Sequence, residues 1–215
     1  MPKLAVFDLD STLIEEEMID ELAALAGKGK QVALLTKKAI KGGRTTATEL
    51  QGRTRYLRGL DAEAVRERTR RFRFRKHFKE MVEGLRHHGF RLGVVTGAFG
   101  IGVRELQKKH EGLEHFDFVA CNHLQVKNGK LTGKALANVK GNKREILEKW
   151  QKKLGIGKKE TLVVGDGASD AKMFPLAKVS VSFAFAPLAV KRKANFVVEN
   201  ADLLEVLRIA QKEFY

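Results

Sequence analysis

Residues 4–12 read Leu-Ala-Val-Phe-Asp-Leu-Asp-Ser-Thr, an apolar run that closes on the carboxylates of Asp8 and Asp10. The run has the pattern of a buried strand. Because carboxylates are costly to bury, a strand that ends in two of them is expected to enter a functional site rather than solvent. At positions i and i+2 of a strand both side chains would point to the same face, where a cation such as Mg2+ would offset their repulsion.

The chain is strongly basic. Its 215 residues fit one domain or a core with an insertion, and 41 Lys+Arg against 26 Asp+Glu give a formal net charge of +15. A positive electrostatic field of this kind attracts anionic ligands, such as nucleic acid or phosphorylated metabolites. Adaptation of the surface to heat is a third explanation of the high charge. Two Tyr and one Trp leave few aromatic side chains beyond Phe for base stacking. Nucleic acid is therefore not expected as the main partner.

Cysteine content and hydropathy indicate the compartment. The one cysteine, Cys121, cannot form an intramolecular disulfide, and we interpret it as a small core residue in a reducing environment. The first strand begins too near the start of the chain to leave room for a secretion signal, and no apolar stretch approaches the length of a membrane span. We expect a cytoplasmic protein without a membrane partner, and we make no prediction of its oligomeric state.

Apolar, β-rich runs alternate with helix-period segments along most of the chain. The predicted strands are 4–9, 91–96, 116–120, 161–165, 179–185 and 196–198, and the predicted helices lie near 77–88, 99–110, 142–153 and 201–213. This alternation predicts an α/β fold with a parallel sheet covered by helices. Because ligands bind at the carboxyl ends of such strands, we expect Asp8–Asp10, Thr96–Gly97 and Gly165–Asp166 to gather at one edge of the sheet.

The stretch from 16 to 76 has a different pattern. It shows helical spacing near 17–26, 30–41, 46–58 and 61–72 and contains no convincing strand. We therefore predict a core domain from residues 1–15 and 77–215, with an all-helical cap domain, 16–76, placed to act as a lid. The Arg-rich run 66–76 would steer anionic substrates, contact a larger phosphorylated partner, or form a solvated helix face, and we prefer the last interpretation. Further along, Asn128-Gly129 predicts the turn of a hairpin over 125–131.

Two acidic motifs suggest phosphoryl chemistry. Asp8 is ionised at neutral pH and would attack phosphorus, while Asp10 would protonate the leaving alcohol and later activate water. In Gly-Asp-Gly-Ala-Ser-Asp, residues 165–170, the carboxylates of Asp166 and Asp170 would hold Mg2+ together with Asp8 and the carbonyl of Asp10. The alternatives are a solvated loop after a strand for the first motif and an Asx turn at a helix start for the second.

Two further motifs would stabilise phosphate charge. Thr96-Gly97 follows a predicted strand, and its hydroxyl and backbone N–H groups would hold a phosphate; the alternative is an ordinary strand-ending turn. Lys143 opens a predicted helix and would reach the phosphate as a point charge; the alternative is a surface lysine. Taken together, the four motifs have the charge pattern that phosphoryl transfer needs.

The motifs resemble the four ordered motifs of the haloacid dehalogenase-like phosphatases: Asp8-Leu-Asp-Ser-Thr12, Val95-Thr96-Gly97, Lys143 and the segment 165–170. Within that superfamily the chain is similar to the phosphoserine phosphatases over nearly its whole length. The resemblance implies a Rossmann-like core, a small helical-bundle cap inserted after the first strand, and dependence on Mg2+. It also implies that Asp8 is the nucleophile and Asp10 the acid/base.

The closer resemblance assigns the substrate contacts. Glu17, followed by Ile-Asp-Glu-Leu at 19–22, matches a family glutamate that contacts the substrate amino acid, and Arg53 in Leu-Gln-Gly-Arg matches the arginine that holds its carboxylate. Judged from the residues alone, we would interpret Glu17 as a capping or helix-face acid and Arg53 as part of a solvated helix face. Residues 126–133 match the family's hairpin.

The chain departs from the family pattern at several positions. Ala98 stands where a glycine is usual, so an added methyl group could crowd the phosphate or serine pocket, and Ser169 replaces an Asn, which shortens a substrate contact. A cap phenylalanine is replaced near Thr46, and Arg-Phe-Arg-Phe-Arg, 71–75, stands near the place of a missing Pro-Gly. These changes leave the chemistry intact and weaken the substrate assignment.

The sequence thus predicts a Mg2+-dependent phosphatase that hydrolyses a small phosphorylated substrate through an aspartyl phosphate. Phosphoserine is the leading candidate substrate, which would place the enzyme in serine biosynthesis. One alternative is a related phosphatase on another small phosphoester, or a phosphotransferase to an acceptor other than water. A second alternative is a catalytically idle member of the fold that binds nucleic acid or protein through its basic surface.

Overall fold

A sheet organises the part of the chain that the computed structural model describes, residues 2–42, 46–109, 113–139 and 142–215. Its strands are β1 (Lys3–Phe7), β2 (Phe90–Phe99), β3 (Phe118–Lys127), β4 (Lys130–Leu136), β5 (Thr161–Val164), β6 (Val179–Phe183) and β7 (Phe196–Val198). The order is β4-β3-β2-β1-β5-β6-β7, and within the described residues every neighbouring pair except β3–β4 is parallel. The α/β class predicted from the alternation is confirmed.

Helices connect the strands and cover the sheet. In the described residues they are α1 (Met18–Leu25), α2 (Gly29–Gly42), α3 (Ala47–Thr54), α4 (Ala62–Arg70), α5 (Phe78–His87), α6 (Gly100–Lys109), α7 (Lys143–Leu154), α8 (Leu188–Lys191) and α9 (Leu203–Phe214). The first four occupy the stretch between β1 and β2, where the spacing predicts helices and no strand. Residue 43, part of a predicted helix break, lies outside the described residues. The domain boundaries themselves stay a prediction.

Strand β1 lies at the point where the order of the strands reverses. It pairs with β2 on one side and with β5 on the other, so that Phe7 is opposite both Val94 and Val164. From here the chain builds the sheet outward in both directions, through β2 and β3 on one side and through β5 and β6 on the other. In parallel sheets the crevice at such a switch point is where ligands bind.

The core lies on both faces of the sheet because β1 is buried on both sides. Ala5 and Phe7 belong to an apolar cluster that includes residues of α5 and α9, whereas Leu4 and Val6 belong to a second cluster that includes Leu147 of α7. The alternation of side chains along a strand explains this division. Packing on both faces therefore fixes the position of β1 and of the residues that follow its carboxyl end.

The chain leaves the core and returns to it along one antiparallel strap. Ile14 and Phe74 form an isolated bridge, the N–H of Glu15 donates to the carbonyl of Arg73 at 3.0 Å, and the N–H of Arg75 donates to the carbonyl of Leu13 at 2.9 Å. We call residues 11–16 and 72–75 the strap. The helical stretch is thus joined to the core by two segments that run side by side.

The Arg-rich run is more than a solvated helix face, which corrects the preferred interpretation. The guanidinium of Arg68 pairs with Glu21 of α1, and Arg70 Nε donates to Glu105 Oε2 of α6 at 2.8 Å. These side chains are partly exposed, but their charges are paired with acids on neighbouring helices.

Most predicted strand bounds differ from the observed ones, and two of the differences change the interpretation of the chain. β1 ends at Phe7 rather than at residue 9, so Asp8 and Asp10 follow the strand instead of sharing one of its faces. The predicted strand at 116–120 and the first arm of the hairpin are one continuous strand, β3, and the pairing shifts register between Leu124 and Val126. Asn128 and Gly129 form the hairpin turn, both with positive φ, as the Asn-Gly signal predicts.

Two expectations from composition can be compared with the structure. Cys121 is half-buried and packs against the larger core cluster, in keeping with its interpretation as a core residue. Within the residues described, none of the helices combines the length and the apolar character needed to cross a membrane.

Candidate active site

The chain turns sharply at the carboxyl end of β1 and exposes Asp8 to the crevice. The N–H of Asp8 still donates to the carbonyl of Val164 in the β1–β5 ladder, at 3.1 Å. The carbonyl of Leu9 then accepts from the N–H groups of Leu13 and Ile14, at 2.9 and 3.1 Å, which closes a tight loop. We call residues 8–14 the catalytic loop, because it contains Asp8 and Asp10, the proposed nucleophile and the proposed acid/base.

Lys143 joins the two acidic motifs. Its ammonium group contacts Asp8 Oδ1 at 2.7 Å and donates to Asp170 Oδ1 at 2.7 Å, and the lysine side chain is buried. Burial alone lowers the pKa of Lys143, but the carboxylates of Asp170 and Asp8 outweigh burial and raise the pKa above its ordinary value. The alternative of a surface lysine is therefore wrong, and a permanent positive charge stands beside Asp8.

The glycines of the segment 165–170 have a steric explanation. A Cβ atom at Gly165 would lie 2.5 Å from Asp170 Cγ, so only glycine allows this carboxylate to pack against the turn. The N–H of Gly167 donates to Asp170 Oδ2 at 2.8 Å. Gly167 of this segment and Lys143 of α7 thus hold Asp170 together.

Three carboxylates form a cluster that could hold a metal ion. One oxygen from each of Asp8, Asp166 and Asp170 lies within 4.8 Å of the others. Burial, and secondarily repulsion from Asp8, raises the pKa of Asp166 to about 7 and of Asp170 to about 8, although Thr12 and Lys143 act in the opposite direction. A hard cation with oxygen ligands fits this donor set and would relieve the repulsion.

The candidate metal ligands differ in how many of their carboxylate oxygens already accept hydrogen bonds. Both oxygens of Asp170 already accept hydrogen bonds, from Lys143 and Gly167, whereas Asp166 Oδ1 accepts from Thr12 Oγ1 at 2.8 Å. The side chain of Asp10 is not part of the cluster. Its contribution to a metal through its carbonyl oxygen stays a prediction.

Asp10 is a buried carboxyl group without full hydrogen bonding. Its Oδ1 atom has no hydrogen-bond partner among the described residues. Burial, followed by repulsion from Glu17 and Asp8, raises the pKa of Asp10 well above its ordinary value, despite a hydrogen bond from the N–H of Met18. A raised pKa favours the protonated form of this carboxyl group, which is the form that a general acid requires.

Glu17 lies beside this pair rather than on an open helix face. It occupies the N-cap position of α1, but its side chain does not cap the helix; its Oε1 atom accepts from the Ser11 hydroxyl at 3.0 Å. Burial, and then repulsion from Asp8, raises the pKa of Glu17 to about 7. A neighbouring cation would stabilise its charged form.

Arg53 is buried in the helical stretch, so its interpretation as a solvated residue is wrong. Its residue is 8 % exposed, and Nη1 donates to Thr36 Oγ1 at 3.4 Å, while Thr36 donates to Asp20 Oδ1 at 2.7 Å. Burial lowers the pKa of Arg53, and the carboxylates of Glu17 and Asp20 act against this effect. Its Nε atom is unpaired within the described part of the chain, which is the donor pattern expected of a carboxylate site.

Thr96 and Gly97 lie near the carboxyl end of β2, where β2 continues irregularly to Phe99. Thr96 is buried, and its Oγ1 accepts from the N–H of Ala98 at 3.0 Å. A Cβ at Gly97 would meet nothing within 4 Å, and Ala98 is 2 % exposed and belongs to the apolar core. The turn therefore leaves open space at Gly97, on the strand next to β1, which Asp8 directly follows.

The predicted residues are brought together to different degrees. Direct contacts connect Asp8, Lys143 and Asp170, and hydrogen bonds connect Thr12 with Asp166 and Ser11 with Glu17. Ser169 lies half-buried in the turn between Asp166 and Asp170, and its side chain does not cap the short helical turn that follows it. Thr96 and Gly97 share the sheet edge but make no direct hydrogen bond to these carboxylates in the described residues.

Sequence reasoning assigned no role to three residues. Thr12 holds Asp166, and its place in the first motif was the available signal. The buried Asn122 donates to the Gly97 carbonyl and accepts from the N–H of Val139, both at 2.9 Å, and no local pattern indicated this. Arg75 donates to the carbonyl of Ser11, although the sequence showed it only as part of the Arg-rich run.

Comparison with known proteins gives a consistent result. The profile of the haloacid dehalogenase-like hydrolases matches residues 5–175. The chain is 38 % identical to a phosphoserine phosphatase of Methanocaldococcus jannaschii over 208 residues, 96 % of both chains. It is also 38 % identical to one of Wolinella succinogenes over 207 residues, 95 % of this chain and 98 % of the relative.

Solved structures are similar over the same extent. A substrate-bound phosphoserine phosphatase complex superposes with a TM-score of 0.89 at 36 % identity and covers 97 % of this chain and 98 % of its own. A phospho-aspartyl intermediate analogue of phosphoserine phosphatase gives a TM-score of 0.89 at 37 % identity with the same coverage. The similarity therefore includes both the helical stretch and the sheet.

Proposed function

This chain belongs to the haloacid dehalogenase-like hydrolases, and we propose from this premise that it is a Mg2+-dependent phosphoserine phosphatase acting through an aspartyl phosphate on Asp8. The contact of Lys143 with both Asp8 and Asp170, beside the three-carboxylate cluster, is the observation that carries this proposal most directly. A neutralised carboxylate cluster at the switch point of a parallel sheet supports phosphoryl transfer.

Asp8 performs the attack in the proposed reaction. Its Oδ1 atom is held at 2.7 Å by the N–H of Leu9 and at 2.7 Å by Lys143, so the carboxylate is oriented before substrate arrives. A bond forms from an Asp8 oxygen to phosphorus while the bond from phosphorus to the serine oxygen breaks. The positive charge of Lys143 stabilises the negative charge on the phosphoryl oxygens.

Asp10 handles the proton in both half-reactions. Its buried carboxyl group gives a proton to the departing serine oxygen and then takes one from the water that attacks the aspartyl phosphate. Phosphate leaves as the bond to Asp8 breaks, which returns both carboxylates to their starting states. Mg2+ held by Asp8, Asp166, Asp170 and the Asp10 carbonyl would neutralise charge on the phosphoryl group.

Glu17 and Arg53 recognise the amino-acid end of the substrate. The Glu17 carboxylate pairs with the ammonium group, and the buried guanidinium of Arg53 binds the carboxylate through donors that include its unpaired Nε atom. Thr36 holds Nη1 of Arg53 in the cap helices. Thr96, Gly97 and Ser169 complete the site on the phosphate side, as in the family pattern.

The alternatives differ in what they predict. Ser169 and Ala98 depart from the family pattern and favour the first alternative, in which another small phosphoester or another acceptor replaces phosphoserine or water. The idle alternative predicts salt-sensitive binding to nucleic acid without turnover. The buried Asp8–Lys143–Asp170 contacts argue against an idle site.

A substrate panel with an Arg53→Ala variant tests the proposed function. With Mg2+, L-phosphoserine should give the highest kcat/KM among small phosphomonoesters, and a chelator should abolish turnover. Arg53→Ala should lower kcat/KM for phosphoserine by roughly 100-fold, because a charged hydrogen-bonding partner of the substrate is lost, but should change turnover of p-nitrophenyl phosphate by less than about threefold.

The exposed Arg55, at the end of the same helix, provides a matched control. Arg55→Ala should match the wild-type protein on both substrates. Equal losses on both substrates in Arg53→Ala would remove Arg53 from substrate recognition, and a higher kcat/KM for a different phosphoester would overturn phosphoserine.

A further inference from the structure

We propose that Arg75 is a positioning residue that fixes the catalytic loop from outside, and that Phe185 keeps its guanidinium in place. Resting on the proposed function, this inference gives a role to a residue of the Arg-rich run that neither the phosphate chemistry nor the substrate contacts use. The proposal rests on three residues that lie together: Arg75 in the strap, Ser11 in the catalytic loop and Phe185 after β6.

Arg75 binds the catalytic loop through two hydrogen bonds to one carbonyl oxygen. Its Nε and Nη2 atoms donate to the carbonyl oxygen of Ser11 at 2.9 and 2.7 Å. The other arginines of the run whose partners are described here, Arg66, Arg68, Arg70 and Arg73, pair their guanidinium groups with the carboxylates of glutamates instead. Arg75 therefore differs from its neighbours in that it holds a backbone group.

Ser11 is a residue that needs to be held. Its φ of 56° lies in the left-handed region, which costs a residue with a Cβ on the order of 1 kcal/mol. The N–H of Ser11 donates to the carbonyl of Glu16 at 3.1 Å, so its peptide groups are fixed from both sides. Ser11 directly follows Asp10, and its hydroxyl donates to Glu17. A shift of Ser11 would therefore move both carboxyl groups.

The guanidinium of Arg75 is itself clamped. The N–H of Arg75 donates to the carbonyl of Leu13, which ties its backbone to the same loop. Its Cζ atom lies 4.7 Å from the ring centroid of Phe185 and 5.8 Å from that of Phe183, and these two rings stack at 5.4 Å. Phe185 remains 50 % exposed. Stacking on Arg75 gives this exposed aromatic side chain a defined partner.

Charge near Arg75 agrees with a position at the rim of the site. Burial lowers the pKa of Arg75, whereas the carboxylates of Asp166, Glu15 and Glu16 act to raise it. An arginine keeps its charge under these conditions. The guanidinium of Arg75 therefore lies at the rim of the site, where it can hold the catalytic loop without touching substrate.

Kinetics of Arg75→Met beside Arg73→Met tests the proposal. Arg73 lies two residues away in the same strap and pairs with Glu15, so Arg73→Met removes the same charge without removing the contact to Ser11. Arg75→Met should lower kcat roughly 10- to 100-fold, and by a similar factor for phosphoserine and p-nitrophenyl phosphate, because a displaced loop impairs the shared phosphoryl step. Arg73→Met should stay within about twofold of the wild-type protein.

Two further variants separate positioning from charge and from folding. Arg75→Lys keeps the charge but lacks the planar pair of N–H donors that converges on the Ser11 carbonyl and cannot stack flat on Phe185, so it should recover less than about half of the lost kcat. Phe185→Ala should lower kcat in the same direction by a smaller factor. Full recovery in Arg75→Lys, or equal kcat in Arg75→Met and Arg73→Met, would overturn the proposal.

Hydrogen exchange gives a readout that does not depend on turnover. In Arg75→Met the amides of the catalytic loop should exchange faster than in the wild-type protein, whereas those of Arg73→Met should not. Unchanged exchange in Arg75→Met would overturn the positioning role even in an active enzyme. A wild-type protein that hydrolyses no phosphoester, but whose loop exchange rises in Arg75→Met, would instead contradict the proposed function alone.

Discussion

Lys143 places one buried positive charge in contact with two carboxylates of the site. Its ammonium group is buried between Asp8 and Asp170, at 2.7 Å from an oxygen of each, and it is the basic group in direct contact with the proposed nucleophile among the described residues. Removing one partner of a buried charge cluster leaves the remaining charges uncompensated. Lys143 therefore serves both the orientation of Asp8 and the stabilisation of phosphoryl charge.

Replacing Lys143 with methionine should lower kcat roughly 100- to 1000-fold, because one preorganised positive charge at the transferred group is lost. Turnover of phosphoserine at saturating Mg2+ measures this effect. Lys149→Met provides the control, since Lys149 is exposed on the same helix. Activity of Lys143→Met close to that of Lys149→Met would show that Lys143 has no part in the reaction.

The turn after β5 sets the position of two carboxylates. Gly165 is needed because Asp170 packs against its backbone, and Gly167 donates its N–H to the same side chain. Elsewhere, Glu105 connects two helices: it belongs to α6 and accepts from Arg70 of α4 at 2.8 Å. The first contact shapes the site, and the second ties the helical stretch to the core.

A Gly165→Ala variant should be destabilised by about 1–3 kcal/mol and should lose most of its activity, since the added methyl group displaces Asp170. Gly52→Ala offers the same substitution without a neighbour within 4 Å of the new Cβ, in helix α3. That control should gain about 0.5–1 kcal/mol from helix propensity. Chemical denaturation compares both variants, and equal stability of the two would contradict the steric account.

The Glu105 contact predicts a pH dependence of stability. Burial raises the pKa of Glu105, but hydrogen bonding and charge from Arg70 outweigh burial, and the net pKa is lowered. A lowered carboxyl pKa stabilises the fold above the unfolded-state value of about 4.3, and this contribution is lost as pH falls through the folded-state value.

Glu105→Gln should therefore lower the free energy of unfolding by about 1–2 kcal/mol at neutral pH, and its deficit should shrink below a pH of about 4. Denaturation with urea at several pH values measures this difference. A deficit that stays constant down to the acid limit would show that charge on Glu105 does not contribute.

The parts of the fold that could be predicted from the sequence are those with a local pattern. β1 and β5 are buried on both faces, so they read as continuous apolar runs, and the helices α1 to α5 between β1 and β2 show their own spacing. The end of β1 was misplaced because Leu9 is apolar, although its carbonyl is occupied by the turn rather than by a neighbouring strand.

The candidate site was predictable only in part, because only some of its residues lie in a local sequence pattern. Asp8, Asp166 and Asp170 follow strands, so topology alone brings them to one edge of the sheet. Glu17 and Arg53 carry no local signal and were assigned through the family resemblance. The bond from Thr12 to Asp166 joins residues 154 positions apart, and the clamp of Arg75 on Ser11 joins residues 64 apart. No local pattern reports such contacts.

The central claim is that phosphate passes through a covalent bond to Asp8. The most direct measurement is acid quenching of the enzyme during turnover of phosphoserine, followed by mass spectrometry of the peptide that contains Asp8. A phosphoryl group should be found on Asp8 in the wild-type protein and in an Asp61→Asn control, whose exposed aspartate caps α4. It should be absent from Asp8→Asn, together with turnover. Substantial turnover by Asp8→Asn, or a phosphoryl group on another residue, would contradict the account.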